Sequence, residues 1–418
     1  MTRIFSLALP GFTAAVLLVL VSAHSLVAYL DRRNPEWALI IRENAGAELA
    51  IAQSVIGHAS GRADNHIGPP QTEYSDALRT RIRKALYFEP LSAQAFVLLG
   101  VLSARAGDAE AATTFMQAAM RRSPRSPAAL YWIMHQELGK GDVAASAALA
   151  DILLRIRPAA LPFVAPMLMQ ISEHDNGTRA VADALARAPL WRAHFFGFMN
   201  SDLKYADISL RLLLALKKSP HPPTEQEVDA FLWSLAARGR YALAYYGWLQ
   251  FLPIERLADA KFLFNGTFRN PLTDSPFDWK IREGGGVIVE IDKSDNAPGK
   301  NTLSIDFGAG GVTFNAISQV LIIPRGRYRF SGFIKGELKG SRGLKWQVAC
   351  ILPVSSKSLA ETPMMLGRFA DWTEFATSFE IPAACHAQTV RLILDASYWT
   401  DTFISGTMAF ADLQISRD

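Results

Sequence analysis

Few side chains in this sequence have the types and spacing that chemistry needs. Cys350 and Cys385 are its only two cysteines. They cannot build a four-thiolate zinc site, and no Cys-x-x-Cys redox motif exists. Cys350 falls in an alternating apolar run and Cys385 in the loop before another such run. A bridge between them would stabilise that region by ~3–4 kcal/mol through the loop it closes. It would also point to an oxidising compartment; two buried free thiols are the alternative. The eight histidines are scattered. His135 and Glu137 are two apart on a helix and so do not share a face. There is no Gly-x-Ser-x-Gly, no His-Glu-x-x-His and no Gly-x-x-x-x-Gly-Lys. Gly308-Ala309-Gly310-Gly311 lies between two strand patterns, which makes it a hairpin loop rather than a dinucleotide turn. Asp395 and Asp401 are the one pair a glycosidase reading could use, and the sequence does not give their separation. No catalytic, metal or cofactor-binding residues are assigned, and a non-enzymatic role is expected.

Stacking chemistry is the other possibility. A sugar site needs exposed aromatic rings with polar groups around them. Trp279, Trp346, Trp372 and Trp399 are the tryptophans of the C-terminal part. Trp346 shares a strand face with Leu344 and Val348, which predicts burial. Trp372 follows an apparent turn and is also assigned to the core. Trp399, with Tyr398 and Asp401 in an apparent loop, is the candidate contact. Arg327 and Arg329 alternate with Tyr328 and Phe330, so they share the opposite face of a strand. They would meet an anionic polymer, or form an ordinary solvated face.

These residues sit in a chain of 418, too long for one core, so two or three units are expected. Half the residues are hydrophobic and a fifth are charged, as in globular proteins. A net charge of +4 over this length lacks the dense basic stripe of a nucleic-acid binder, and no such partner is expected.

Residues 1–33 form the first segment. Ile4 to Leu30 contains no Lys, Arg, Asp or Glu. As a helix, Gly11 to Leu30 would be ~30 Å long, enough to cross a bilayer. A membrane anchor over residues 4–30 is expected; a signal peptide ending near Val21-Ser22-Ala23 is the alternative. Arg3 against Arg32 and Arg33 would put the body in the cytoplasm by the positive-inside rule. The possible disulfide argues for the other side. The Ala- and Arg-rich composition reads as bacterial, so the expectation is a single-pass protein of a bacterial inner membrane with its body in the periplasm.

Residues 34–258 read as helices. Asn34-Pro35-Glu36 opens a helix expected to run to about Ile56, and residues 57–72 read as a loop. Pro90, Pro124 and Pro158 recur every 34 residues, and Gly107-Asp108 recurs as Gly141-Asp142. Phe96, Leu99 and Gly100 share one helical face; Ala112, Met116 and Ala119 share the next; Pro124 closes the unit. This stretch resembles the tetratricopeptide repeat, with Ser103 at the family's tyrosine position. The next unit, Pro127 to Pro158, departs from the pattern at Met134 and Ser146. Further copies are degenerate, with Pro162 and Pro166 interrupting an expected helix. Thr224 with Glu227 reads as a capping box that opens a last hairpin. The resemblance implies a stacked array with a concave groove that binds a protein partner. The basic cluster Arg79, Arg81, Arg83 and Lys84 reads as a solvated helix face. Tyr241, Tyr245, Tyr246 and Trp248 read as packing for the next domain.

Residues 261–418 alternate with period two, and Gly- and Pro-bearing turns separate nine or ten runs. Phe264-Asn265-Gly266-Thr267-Phe268, Phe277-Asp278-Trp279, Asp371-Trp372-Thr373-Glu374-Phe375 and Gly406-Thr407-Met408-Ala409-Phe410-Ala411-Asp412-Leu413 follow in order. This series resembles the jelly-roll carbohydrate-binding modules. The resemblance implies an all-β sandwich and, as a possible partner, a polysaccharide. The fold class expected is multidomain: transmembrane helix, α-helical repeat solenoid, β-sandwich. The function expected is a scaffold of the bacterial cell envelope, in surface polysaccharide assembly or export as the resemblances imply. The alternative is a glycan-binding protein, with a polysaccharide-modifying enzyme behind both.

Overall fold

The computed structural model describes residues 19–31, 33–61, 71–282, 285–308, 310–312, 314, 317–352 and 355–418, with backbone only at 58–61 and 71–74. A helical N-terminal region precedes a two-sheet antiparallel β-sandwich. The chain divides into two compact units, residues 1–185 with 189–191, and residues 186–188 with 192–418.

In the first unit, residues 19–31 are helical and form the described part of α1. Among the described residues no helix is long and apolar enough to cross a membrane. Residues 4–18 of the expected anchor lie outside the described residues. The single helix expected from Pro35 is two, α2 (Pro35–Ile41) and α3 (Ala45–Gly61). Arg42 is extended at φ −161°, and the Asn44 carboxamide oxygen accepts from Ala47 N at 2.8 Å, capping the second helix. Asn44 was a local start signal that the longer apolar pattern concealed. Of the loop expected at 57–72, residues 62–70 lie outside the described residues, and α3 continues to Gly61.

α4 (Gln71–Phe88) packs on α3. Arg81 and Lys84 are not simply solvated: Arg81 pairs with the buried Glu48 at 2.6 Å, and Lys84 with Glu43 and Glu48. Then come three helical hairpins: α5 (Ala93–Arg105) with α6 (Ala109–Arg122), α7 (Pro127–Gly139) with α8 (Val143–Ile156), and α9 (Leu161–Ile171) with α10 (Asp175–Leu185). The 34-residue repeat of Gly-Asp has a geometric meaning. Gly107 and Gly141 adopt φ +80° and +83°, which end the preceding helices at low steric cost. Asp108 N donates to Ser103 O, and Asp142 N to Glu137 O, closing the same six-residue turn twice. Each Asp carboxylate then accepts from the backbone N–H three residues on, at 2.9 Å in both cases.

The signature residues meet inside the hairpin. Leu99, Gly100, Ala112, Met116 and Ala119 are buried. A Cβ on Gly100 would lie 2.9 Å from the Met116 methyl, so the glycine admits the methionine. Phe96 is half-buried, with the Arg122 guanidinium 3.9 Å over its ring. Pro124 stands exposed in the turn to α7. In the second hairpin, Ser146 Oγ donates to Met134 O at 3.0 Å, both residues fully buried. The departure from small residues there is thus compensated by a hydrogen bond across the pair. The prolines of α9 do not interrupt it. Pro162 sits in its first turn, where no intrahelical donor is required, and Pro166 is accommodated inside the helix.

In the second unit, α11 (Arg192–Met199) and α12 (Ala206–Leu216) lead to α13 (Glu225–Ala236), α14 (Tyr241–Phe251) and the short α15 (Ile254–Leu257). Thr224 and Glu227 make both halves of the capping box. Glu227 also receives Arg192 at 2.6 Å, and Arg192 donates further to the carbonyls of His221 and Pro222. Trp248 and Tyr245 of α14 stack edge-on against Phe264 and Phe277, at 4.9 and 5.2 Å between centroids. These rings group the last helices with the strands; Tyr246 is exposed.

The sandwich has two five-stranded sheets. One runs β1 (Lys280–Ile281), β4 (Ile317–Leu321), β9 (Gln388–Leu394), β6 (Leu344–Ile351), β7 (Ser356–Glu361) in spatial order. The other runs β2 (Val287–Lys293), β3 (Asn301–Phe307), β10 (Ile404–Arg417), β5 (Gly326–Gly340), β8 (Gly367–Ile381). Every pairing is antiparallel. Inward residues of the alternating runs, among them Leu303, Ile305, Phe307, Phe330, Val348, Val390 and Leu392, form one core. Trp346 stands at its centre, between Trp279, Phe330 and Phe410. Cys350 and Cys385 form a disulfide that ties β6 to the loop before β9.

Candidate functional site

Residues 395–403 connect β9 of one sheet to β10 of the other, so this loop crosses an end of the sandwich. The turn between β5 and β6, at residues 341–343, makes the same crossing beside it. Asp395 N donates to Gly343 O at 3.0 Å, and Ser341 Oγ to Asp401 at 3.3 Å. Arg342 lies 3.6 Å from Asp395 and 4.0 Å from Asp401, and Lys345 lies 3.1 Å from Asp395. The loop is therefore braced by a second connection sixty residues away in sequence.

Asp401 organises the loop from within. Its Oδ2 accepts from Ser397 N at 3.0 Å and Tyr398 N at 3.1 Å. Those two backbone donors, Ser397 first, hold its carboxyl below the usual carboxylate range. Thr402 Oγ1 donates to Trp399 O, and Val312 N to Thr402 O. With the backbone anchored on all sides, the aromatic side chains point away from the core. Tyr398 and Trp399 are 75% and 74% exposed, and Phe403, 43% exposed, meets Trp399 edge-on at 4.6 Å. Such an arrangement offers apolar ring surface held in place before any ligand arrives, with Arg342 bracing the loop through Asp395 and Asp401. Rings fixed in this way can stack on the C–H face of a pyranose.

The other candidates lie elsewhere. Trp279 and Trp346 are buried at 1% and 0%, while Trp372 is half-buried in mid-β8 rather than after a turn. Arg327 and Arg329 sit at the opposite end of β5 from residues 341–343, ~40 Å or more along the strand. They pair across to Glu380 and Glu374 on β8, at 3.7 and 3.3 Å. Thus Tyr398, Trp399 and Asp401 come together, and the two arginines do not join them. Arg342, Lys345 and Phe403 are the site residues that sequence reasoning missed. The Tyr398-x-x-Asp401 capping spacing was a local signal, but nothing local links residue 342 to 401.

A concavity of about 330 Å³ opens between α13 and the start of the sandwich. Glu225, Asp229, Thr273, Asp274 and Lys280 line it. Burial, then the nearby charges of Asp274 and Glu225, push the Asp229 carboxyl up to about 6. Trp233 Nε1 donates to Asp274 O at 2.6 Å, and Lys280 Nζ lies 5.2 Å from the Trp233 ring centroid. Asp278 just beneath is consumed by Thr273 and Trp279. Among the described residues no group of three or more His, Cys, Asp or Glu could hold a metal ion.

No family model matches the chain, and no curated protein matches it. Among solved structures it is similar to a family 4 carbohydrate-binding module, at 17% identity and TM-score 0.29, over 37% of this chain and 99% of that one. It is similar to a putative sugar-binding protein from Bacteroides thetaiotaomicron, at 12% identity and TM-score 0.29, over 38% and 99%. It is also similar to a family 16 carbohydrate-binding module, at 15% identity and TM-score 0.27, over 38% and 100%.

Proposed function

We propose that the C-terminal sandwich binds a polysaccharide through the loop of Tyr398, Trp399 and Phe403, in a role that breaks no bonds. One observation carries this reading: two large aromatic rings stand three-quarters exposed on a backbone that Asp401, Ser341 and Thr402 hold fixed. Exposed aromatic surface is costly in water, and immobilising it lowers the entropy a ligand must overcome. The disulfide favours an extracytoplasmic site of action, and the charge-free run from Ile4 to Leu30 is proposed as its hold on a bilayer. The test is retention of the full chain on a panel of immobilised polysaccharides. Trp399→Ala should weaken the best interaction at least ~10-fold. Equal retention of the variant on every polymer that holds the wild type would remove this loop from the role.

A protein-docking role for the helical hairpins is the second reading. The geometric identity of the turns at Gly107-Asp108 and Gly141-Asp142 supports it, because equal turns stack successive hairpins in a regular array. Crosslinking in native membranes should then trap a protein through residues 90–158, and a scaffold function would follow.

A further inference from the structure

The short helix α2 wears its large apolar residues on the outside. Trp37, Ile40 and Ile41, at i, i+3 and i+4, are 61%, 78% and 46% exposed. Its other side is already committed, with Ala38 buried against Val27 of α1 and Ala47 of α3, and Leu30 and Leu39 beside them. α1 extends the bare surface with Leu26 and Tyr29, 49% and 55% exposed. Large apolar side chains left bare on two helices that share a small core call for a covering partner. Its composition selects one. Trp and Tyr are the rings that favour the boundary between headgroups and acyl chains. The Arg33 guanidinium stands 5.3 Å from the Tyr29 ring centroid, and Arg42 is exposed just past the end of α2. Both cations can meet anionic headgroups. Glu43, the nearest acid beyond Arg42, is taken up by Lys84, which leaves Glu36 as the exposed acid of α2. The chain that leads into α1 carries no charge from Ile4 onward. Seven residues make a helix ~10 Å long, too short to span a bilayer but suited to lie in its surface.

We infer that Leu26, Tyr29, Trp37, Ile40 and Ile41 form a collar that sits in the headgroup–acyl boundary of a phospholipid bilayer, with α2 in the plane of the membrane. The collar rests on the bilayer reading of residues 4–30 and adds a second, surface-lying contact to it. α3 and the hairpins after it would then start at a fixed distance from the lipid.

The experiment uses the full chain with vesicles of phosphatidylcholine and phosphatidylglycerol, whose acyl chains carry bromine at a shallow or a deep position. Flotation reports association, and tryptophan quenching reports depth. Wild type should float and be quenched more by shallow than by deep bromine. Trp37→Phe should float equally while its shallow quenching falls about twofold or more, because the boundary-seated ring is gone. Ile40→Asp with Ile41→Asp should float and likewise lose the shallow quenching. Equal quenching of wild type and Trp37→Phe in floated protein overturns the collar and leaves the residue 4–30 tether standing. Failure of the wild type to float overturns both.

Discussion

Asp229 and Asp401 are carboxylates of opposite character, and the difference lies in what surrounds them. Asp401 receives two backbone donors and is held ionised; Asp229 is half-buried beside other acids and is pushed up to about 6. The folded protein binds the Asp229 proton more tightly than an unfolded chain, whose value is near 3.8. That preference stabilises the fold fully below 3.8 and is lost as pH rises through about 6. Above that, the ionised group is a cost. Asp229→Asn should therefore raise Tm at pH 8 by about 2–4 °C, taking roughly 1 kcal/mol for a half-exposed group, and should give no gain at pH 3.5. Thermal unfolding at both values decides it; an equal gain at both would assign the effect to packing. The tryptophans make the same point with stacking in place of charge. Trp346 and Trp399 are the same side chain, one fully inside a ring of aromatics and one in water. Only the exposed one is free to meet a ligand.

Among the elements, the hairpin of α9 and α10 depends on a glycine for a reason unrelated to turns. The Asn176-Gly177-Thr178 sequence reads equally as an Asn-Gly turn or a glycosylation triplet. Gly177 in fact lies in the first turn of α10, and a Cβ there would fall 1.8 Å from the Ile171 carbonyl oxygen. No rotamer relieves a clash with backbone, so the two helices would have to separate. Gly177→Ala should cost ~2–4 kcal/mol in urea unfolding, whereas the helix-propensity gain of alanine would by itself stabilise by under ~1 kcal/mol. A neutral or stabilising result would mean that this approach is looser than described. By contrast, Gly107 and Gly141 meet nothing where a side chain would go, and positive φ alone explains them.

For the molecule as a whole, the boundary between the compact units, near residue 190, does not follow the change from helix to strand near residue 260. Trp248 and Tyr245 bind α14 to the aromatic residues that open the sandwich, and Trp233 of α13 donates to the Asp274 carbonyl. The sandwich in turn is closed by the bond between Cys350 and Cys385, 35 residues apart. Reduction should lower its stability by ~3–4 kcal/mol, since the unfolded chain regains the entropy of that loop. Denaturant unfolding with and without reductant, followed through tryptophan near-UV circular dichroism, checks this. Unchanged midpoints would mean that the strand pairing alone constrains the loop.

The sequence by itself determined whatever depends on near neighbours. The helices and strands follow from period, the turns from the Gly-Asp pairs, the cap of α13 from Thr224 and Glu227. The inward side chains of β3, β5 and β9 follow from alternation. Side-chain burial on a regular element repeats with its geometry, so a few adjacent residues suffice to read it. Tertiary structure alone decided what depends on distant meetings. It split the first helix at Asn44 and ran α9 through Pro166. It also set Arg342 beside Asp401 and kept Arg327 and Arg329 away from Trp399. Meetings between residues tens of positions apart are fixed by how strands pair across a whole sheet, and no local spacing encodes that pairing.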